Sequence, residues 1–590
     1  MIHLVFPKFS DIFPEEQVPL LEDELEGIPS EIVINVCCFW MSVFYMNRFD
    51  DKKHILFLNK FIENAEERVR EKIISQFDAF FEKRQQKFIV FFTPYNLLKQ
   101  IEFELENYRS NEVVSHNPKN DYKILRALLI NNENYDDSFI HQIKTQEKNK
   151  EDDIFIKYFW PMTYLSAEFN SSVKQNLLIV LFQSIELFKF LEANPKTSSY
   201  VSEYYLMNGV SSWREYISKL TELFINGYKK GEGFFAYKFP PELIKNNQVI
   251  KNFILDLSIA KESSMIKYEN KIDFRKLREN PILKDSKGNY LVSNWGLIIN
   301  KIYNSVVYDM YNKTSVRNAF KDEKSDGFNS YKSFVGNECS EKHIFNKFLK
   351  SCFNNKNTIC MDSNDSKNIT SDLYVRIDNK IIFFEFKDIN LKKSLLKDNS
   401  NDIFSFIKQE INKNFVSSMK KKGNKKIPQK KGVLQLSSQI HEYSNHHKNI
   451  NNQKLDRLII FPVLVYTDQT VGMPGVNWYL NKIFKKEINS NKHPYFLVND
   501  LVLINFETLV GLMDSIKHDN SIIFSLLYNY SSCIDKNLRL FKKHKNEYYY
   551  SEIFNPFEVE MANSLNKYFK SPDQSTLFRN IVRELNLRIE

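Results

Sequence analysis

Over the first 265 residues, apolar positions recur at intervals of three and four. This spacing predicts helices at Ile32–Met46, Phe61–Phe81, Val173–Leu191 and Trp213–Phe224, separated by polar loops rich in Asn, Asp and Lys. No repeat of solenoid period is present. Aromatic residues on the helical faces read as packing core. His3, His54, His116 and His141 stand alone and supply no catalytic or metal-binding set. Residues 1–265 are therefore expected to form a mainly helical region, suited to sensing or binding a protein partner.

Near residue 281 the pattern changes. Pro281 to Val292 reads as a hairpin turning at Lys287-Gly288-Asn289, followed by a helix from Trp295 to Tyr311 and a polar stretch over 312–330, so 266–330 is a connector. A helix from Val335 to Phe353 comes next, then strands at 372–377 and 381–387 and a helix near 402–419. After a lysine-rich loop come a helix at 433–447, a strand at Arg457–Thr467 and a helix after Pro474. This alternation over 331–505 predicts an α/β domain with a small mixed central sheet flanked by helices. Residues 506–590 return to a helical pattern, with a basic, aromatic patch at Lys542–Tyr550.

Composition mainly narrows the field. At 590 residues, 43% hydrophobic and 26% charged, the chain has the make-up of a globular protein of several domains. Its 14 glycines form neither a phosphate-binding G-x-x-x-x-G-K-[ST] loop nor a G-x-G-x-x-G turn, which argues against a motor ATPase or a common nicotinamide enzyme. Cysteines 37, 38, 339, 352, 360 and 533 have no C-x-x-C spacing and read as reduced thiols. The apolar run Ile32–Met46 is too short to span a bilayer, and it follows acidic residues where a leader would be positive. The expected setting is cytoplasmic, without a membrane partner.

Charge matters through its placement. Of the net +9, most is concentrated between Lys408 and Lys431, where nine lysines stand against Glu410 alone. A local field of that sign suits a polyanion, although a solvated loop would look the same.

The chemistry concentrates in Ser371-Asp-Leu-Tyr-Val-Arg-Ile-Asp-Asn-Lys-Ile-Ile-Phe-Phe-Glu-Phe-Lys-Asp388. With Asp378-Asn379 as the centre of a tight turn, Ile377 faces Lys380 and Asp372 falls opposite Glu385. The two-residue period puts Lys387 on the same face and Ile382, Phe384 and Phe386 on the other. Two neighbouring carboxylates repel unless a cation lies between them, and oxygen ligands suit Mg²⁺ or Mn²⁺. A plain cross-strand ion pair at an exposed hairpin end is the alternative.

This arrangement resembles the PD-(D/E)xK nuclease superfamily, with an Asp on one strand and E-x-K on the next. It is similar to the RecB-like branch in also carrying Q-x-x-x-Y, here Gln439-Ile-His-Glu-Tyr443. The resemblance covers about 330–505 and implies a metal-dependent phosphodiesterase of that fold. It makes Asp372 and Glu385 ligands of Mg²⁺ or Mn²⁺, the Phe386 carbonyl a third, and Lys387 the catalytic lysine. Glu341 becomes an accessory acid on the preceding helix, and Gln439 and Tyr443 substrate-positioning groups. On an α-helical wheel Glu341 falls within the stripe of Ile344, Phe345, Phe348 and Cys352, which favours it over Glu338. Ser371 stands where the family has Pro, and the segment from Lys387 to Gln439 is long.

The lysine segment lies between the catalytic lysine and the Gln/Tyr helix. Lys420, Lys421, Lys422, Lys425, Lys426, Lys430 and Lys431 are thus expected to contact a phosphate backbone with little base preference. DNA is the implied substrate, with RNA left open because the constellation does not report the sugar. An effector role in a bacterial defence or mobile-element system follows from the domain arrangement and the resemblance. The alternatives are a catalytically inactive or partner-activated nucleic-acid-binding protein. His441, His446 and His447 are expected to be solvated.

Overall fold

The computed structural model describes residues 7–47, 51–84, 91–110, 119–144, 151–164, 167, 177–229, 234–259, 275–321, 327–366, 369–392, 403–422, 425–446, 454–490, 493–544, 551–570 and 575–586. The chain is mostly helical around a six-stranded mixed sheet. At the centre Ile459–Tyr466 runs parallel to Lys380–Lys387 on one side, and to Leu497–Val498 and Val502–Asn505 on the other. Leu373–Ile377 continues the sheet antiparallel to Lys380–Lys387, and Thr358–Met361 forms the far edge. Lys380–Lys387 and Ile459–Tyr466 are nearly continuous apolar runs because helices cover both faces of the sheet.

The hairpin keeps the expected register. Ile377 pairs with Lys380 and Leu373 with Phe384, and Asp378 takes the left-handed conformation (φ 51°) that the tight turn requires. On one face, Phe345 of the helix ending at Cys352 stacks on Phe386 at 4.5 Å. On the other, Tyr443 of helix Gly432–His446 packs against Tyr374 and Phe383 with ring centroids 5.5 and 5.3 Å away. The hairpin at Ile282–Lys284 and Tyr290–Val292 also forms, turning at Gly288 (φ 82°), and Lys238–Phe239 joins it as a third strand.

Several elements differ from expectation. Phe61–Phe81 is two helices, Asp51–Ile62 and Glu67–Arg84, because the polar stretch Glu63-Asn-Ala-Glu66 breaks the apolar period. Val335–Asn346 is wound as a π-helix between α-helical turns at Phe328–Phe334 and Lys347–Cys352, an unusual length for this winding. The lysine segment is no loop: Ser417–Lys422 pairs antiparallel with Lys425–Lys430. Three short strands, Thr358–Met361, Leu497–Val498 and Val502–Asn505, were not expected at all.

Buried apolar side chains gather into two cores. One core gathers Phe9 through Ile130 with Phe234, Ile259, Leu277, Leu283 and Leu291. The other runs from Phe155 to Leu585 and contains the sheet. Helix Glu151–Tyr164 is bound into that second core: Phe155 stacks on Phe554 at 3.9 Å, and Trp160 Nε1 donates to the Pro474 carbonyl at 3.0 Å. Aromatic side chains from the first half thus complete the core of the second. No helix among the described residues is long and apolar enough to cross a membrane.

Candidate active site

Extending the hairpin register by one step brings Asp372 opposite Glu385, and the contacts there agree. Asp372 Oδ2 accepts a 2.7 Å hydrogen bond from the Phe386 peptide N–H. Glu385 is fully buried, and its two oxygens have different partners. Oε1 pairs with the Lys387 ammonium, while Oε2 accepts from Gln439 Nε2 at 2.9 Å. The same Gln439 nitrogen donates to the Thr370 carbonyl at 3.0 Å, which ties helix Gly432–His446 to the entrance of the Asp372 strand. Gln439 therefore fixes a carboxylate rotamer and a strand end at once.

The electrostatics reflect crowding of like charges. Burial, then Glu385 and Glu341, hold the Asp372 carboxyl well above the usual carboxylate range. Burial pushes Glu341 up to about 7, with Lys387 opposing the rise and Glu385 adding to it. Burial works against the Lys387 ammonium, but Glu385 and Asp372 more than offset it and keep it protonated above its ordinary range. Asp372, Glu385, Glu341 and Lys387 thus act on one another as one cluster. Glu338 does not join its neighbour Glu341 as a ligand-like acid, since it forms a 2.8 Å pair with Lys342 at the surface.

Glu341 reaches the cluster by a route the helical wheel does not give. In the π-wound segment successive side chains are spaced differently around the axis, and Glu341 there is half-buried. Ile344, Phe345, Phe348 and Cys352 are buried beside it. Tyr443 meets a neighbouring phenol. Its hydroxyl lies 3.0 Å from that of Tyr374 in the interior, where it seats the helix on the sheet. His441 is half-buried with its Nε2 lacking a hydrogen-bond partner, while His446 is exposed and His447 lies outside the described residues.

Sequence reasoning noted Ser371 only as a departure from the family's Pro. It is buried beside Asp372, and its Oγ has no hydrogen-bond partner among the described residues; Gln439 Oε1 is in the same position. Two orphaned buried oxygens beside two carboxylates are ligand types that suit a hydrated hard cation, although both Glu385 oxygens already meet nitrogen donors, Lys387 and Gln439. Among the described residues no three or more of His, Cys, Asp and Glu are grouped closely enough to hold a metal ion. A cation there would have Asp372 and Glu385 as its carboxylate ligands and would compete with Lys387 and Gln439 for the Glu385 oxygens.

The lysine hairpin begins directly after helix Ile403–Phe415. Lys430, at its base, bonds to Ser438 Oγ at 2.9 Å and Glu487 at 3.3 Å, and the Lys431 N–H donates to the Val416 carbonyl. The backbones of Lys420–Lys422, Lys425 and Lys426 lie in its two strands, and their side chains lie outside the described residues. Met419 and Ile427, within the same strands, are exposed. The stretch 545–550 of the expected basic patch is outside the described residues as well. No protein-family description, curated protein or solved structure matches this chain.

Proposed function

We propose that the chain is a metal-dependent nuclease that hydrolyses phosphodiester bonds of DNA. The observation that supports this reading best is the juxtaposition of Asp372 and buried Glu385 with Lys387, where burial and the neighbouring carboxylates raise the proton affinity of Asp372. Folding tolerates such repulsion at a cost, and a divalent cation relieves it. A bound Mg²⁺ or Mn²⁺ would supply Lewis-acid polarisation of a phosphoryl oxygen and a water of lowered pKa.

This chain's own residues have separable tasks. Asp372 and Glu385 would hold the ion, with Asp372 aimed by the Phe386 N–H and Glu385 by Gln439. Lys387, held cationic and anchored on Glu385, would orient the attacking water or neutralise charge developing on phosphate. Glu341, whose proton affinity is tuned to near neutrality, is suited to exchange a proton with water at the cluster. The lysine hairpin would hold the phosphate backbone without reading bases.

The test is cleavage of supercoiled plasmid, linear duplex, single-stranded DNA and RNA with Mg²⁺, with Mn²⁺ and with chelator. Metal-dependent cutting of DNA supports the proposal. Cutting of RNA alone reassigns the substrate, and cutting that persists in chelator refutes the metal-dependent reading.

A further inference from the structure

On the opposite face of the strand that carries Glu385 lies a cavity of about 490 Å³, a volume ordinary for small-molecule sites. It opens beyond the carboxyl ends of three of the parallel strands, where open α/β sheets usually take their ligands. Asp388 follows the first strand, Thr467 and Asp468 the second, and Asn505 to Glu507 end the third. Helices Leu177–Ala193 and Trp295–Lys313 close the other side, so both halves of the chain build the walls.

The charges on these walls favour a cation. Four carboxylates, Glu279, Asp388, Asp468 and Glu507, face two basic side chains, Arg278 and Lys301. Three of the four are held in place. Asp468 accepts from the Leu391 and Thr470 N–H groups at 2.7 and 2.8 Å, Asp388 from Thr467 Oγ1 at 3.0 Å, and Glu507 from Gln469 at 3.1 Å. Tyr303, Tyr308, Phe386 and Phe506 add aromatic surface of the kind that attracts ammonium groups. Asn505, also in the wall, is fully buried, and its Nδ2 donor has no partner among the described residues. An unanswered buried donor is costly unless something supplies an acceptor.

We propose that this cavity binds a small organic amine. Its ammonium would lie among the carboxylates and rings, and a neighbouring oxygen would meet Asn505 Nδ2. Phosphates and nucleotides are disfavoured by the negative wall. The inference stands apart from the nuclease reading, because binding is measured without turnover. Phe386 is common to both sites: its ring lines the cavity and its N–H holds Asp372.

The experiment is isothermal titration of the full chain with tyramine and with agmatine, and separately with inorganic phosphate and AMP. The expected result is saturable one-to-one binding of at least one amine, weakened at least tenfold in Asp388→Asn and abolished in Asn304→Lys. The first variant changes an exposed, near-isosteric side chain; the second puts a cation in the wall. Circular dichroism and melting show that each variant is folded, and Asp388→Asn carries the test if Asn304→Lys is not. Absence of amine binding up to millimolar concentration overturns the proposal. Amine affinity unchanged in a folded variant does so too, as does saturable phosphate or AMP binding that Asp388→Asn alters.

Discussion

Replacing Glu341 by Gln removes an acid whose folded environment resists ionisation, so its effect on stability depends on pH. Below about 4.5 the carboxyl is protonated whether the chain is folded or not, and this contribution is fully present. As pH rises from 4.5 through about 7, the unfolded chain ionises first and wild type loses stability relative to the variant. At about 1.4 kcal/mol per pH unit, the full interval corresponds to about 3 kcal/mol. The side chain is partly exposed, and solvent screening reduces this to about 1–3 kcal/mol. The assay is a paired series of urea melts at pH 5 and pH 8 in chelator, reading the wild-type minus variant difference. Glu341→Gln should gain on wild type by that amount at pH 8, and Mg²⁺ should shrink the gap by answering the carboxylate repulsion. A gap equal at both pH values, or a variant less stable at pH 8, refutes the assignment of Glu341 to the buried cluster.

Three other substitutions separate the neighbouring roles. Gln439→Ala removes hydrogen bonds to Glu385 and the Thr370 carbonyl; it should cost about 1–3 kcal/mol in urea melts and lower cleavage as Glu385 loses its fixed rotamer. Tyr443→Phe removes the contact with the Tyr374 hydroxyl; it should cost about 1 kcal/mol in the same melts while leaving kcat unchanged, and a large loss of kcat would assign Tyr443 to the substrate. Replacing Lys420, Lys421 and Lys422 by Ala should lower the salt dependence of duplex DNA binding by about 2–3 in logarithmic slope, measured by fluorescence anisotropy from low to moderate salt. An unchanged slope would exclude this strand from the phosphate path.

The hairpin was the most legible part of the fold. Asp378-Asn379 sets the turn, and a slip by one residue would exchange the face of Phe384 and Phe386 with that of Glu385 and Lys387. Apolar pattern and turn chemistry therefore agreed on one register. The path of Glu341 was not legible, because α- and π-winding share the same local propensities and differ through tertiary packing. The lysine hairpin carried a readable signal, Gly423-Asn424 between runs of equal length, which the density of charge obscured. Packing between distant segments was not legible for another reason: Phe155 and Trp160 find their partners at Phe554 and Pro474, far along the chain, and no local pattern records such pairings. The cavity was invisible for the same reason, since its walls come from both halves of the chain.

The measurement that bears most directly on the central claim is single-turnover cleavage of linear duplex DNA with Mg²⁺ or Mn²⁺, comparing wild type with Asp372→Asn and Lys387→Ala. The account predicts cutting by wild type and a loss of at least about a hundredfold in each variant, the scale on which a positioned charge acts at a developing transition state. Both variants must first be shown to melt like wild type. Folded variants that cut as fast as wild type would contradict the account.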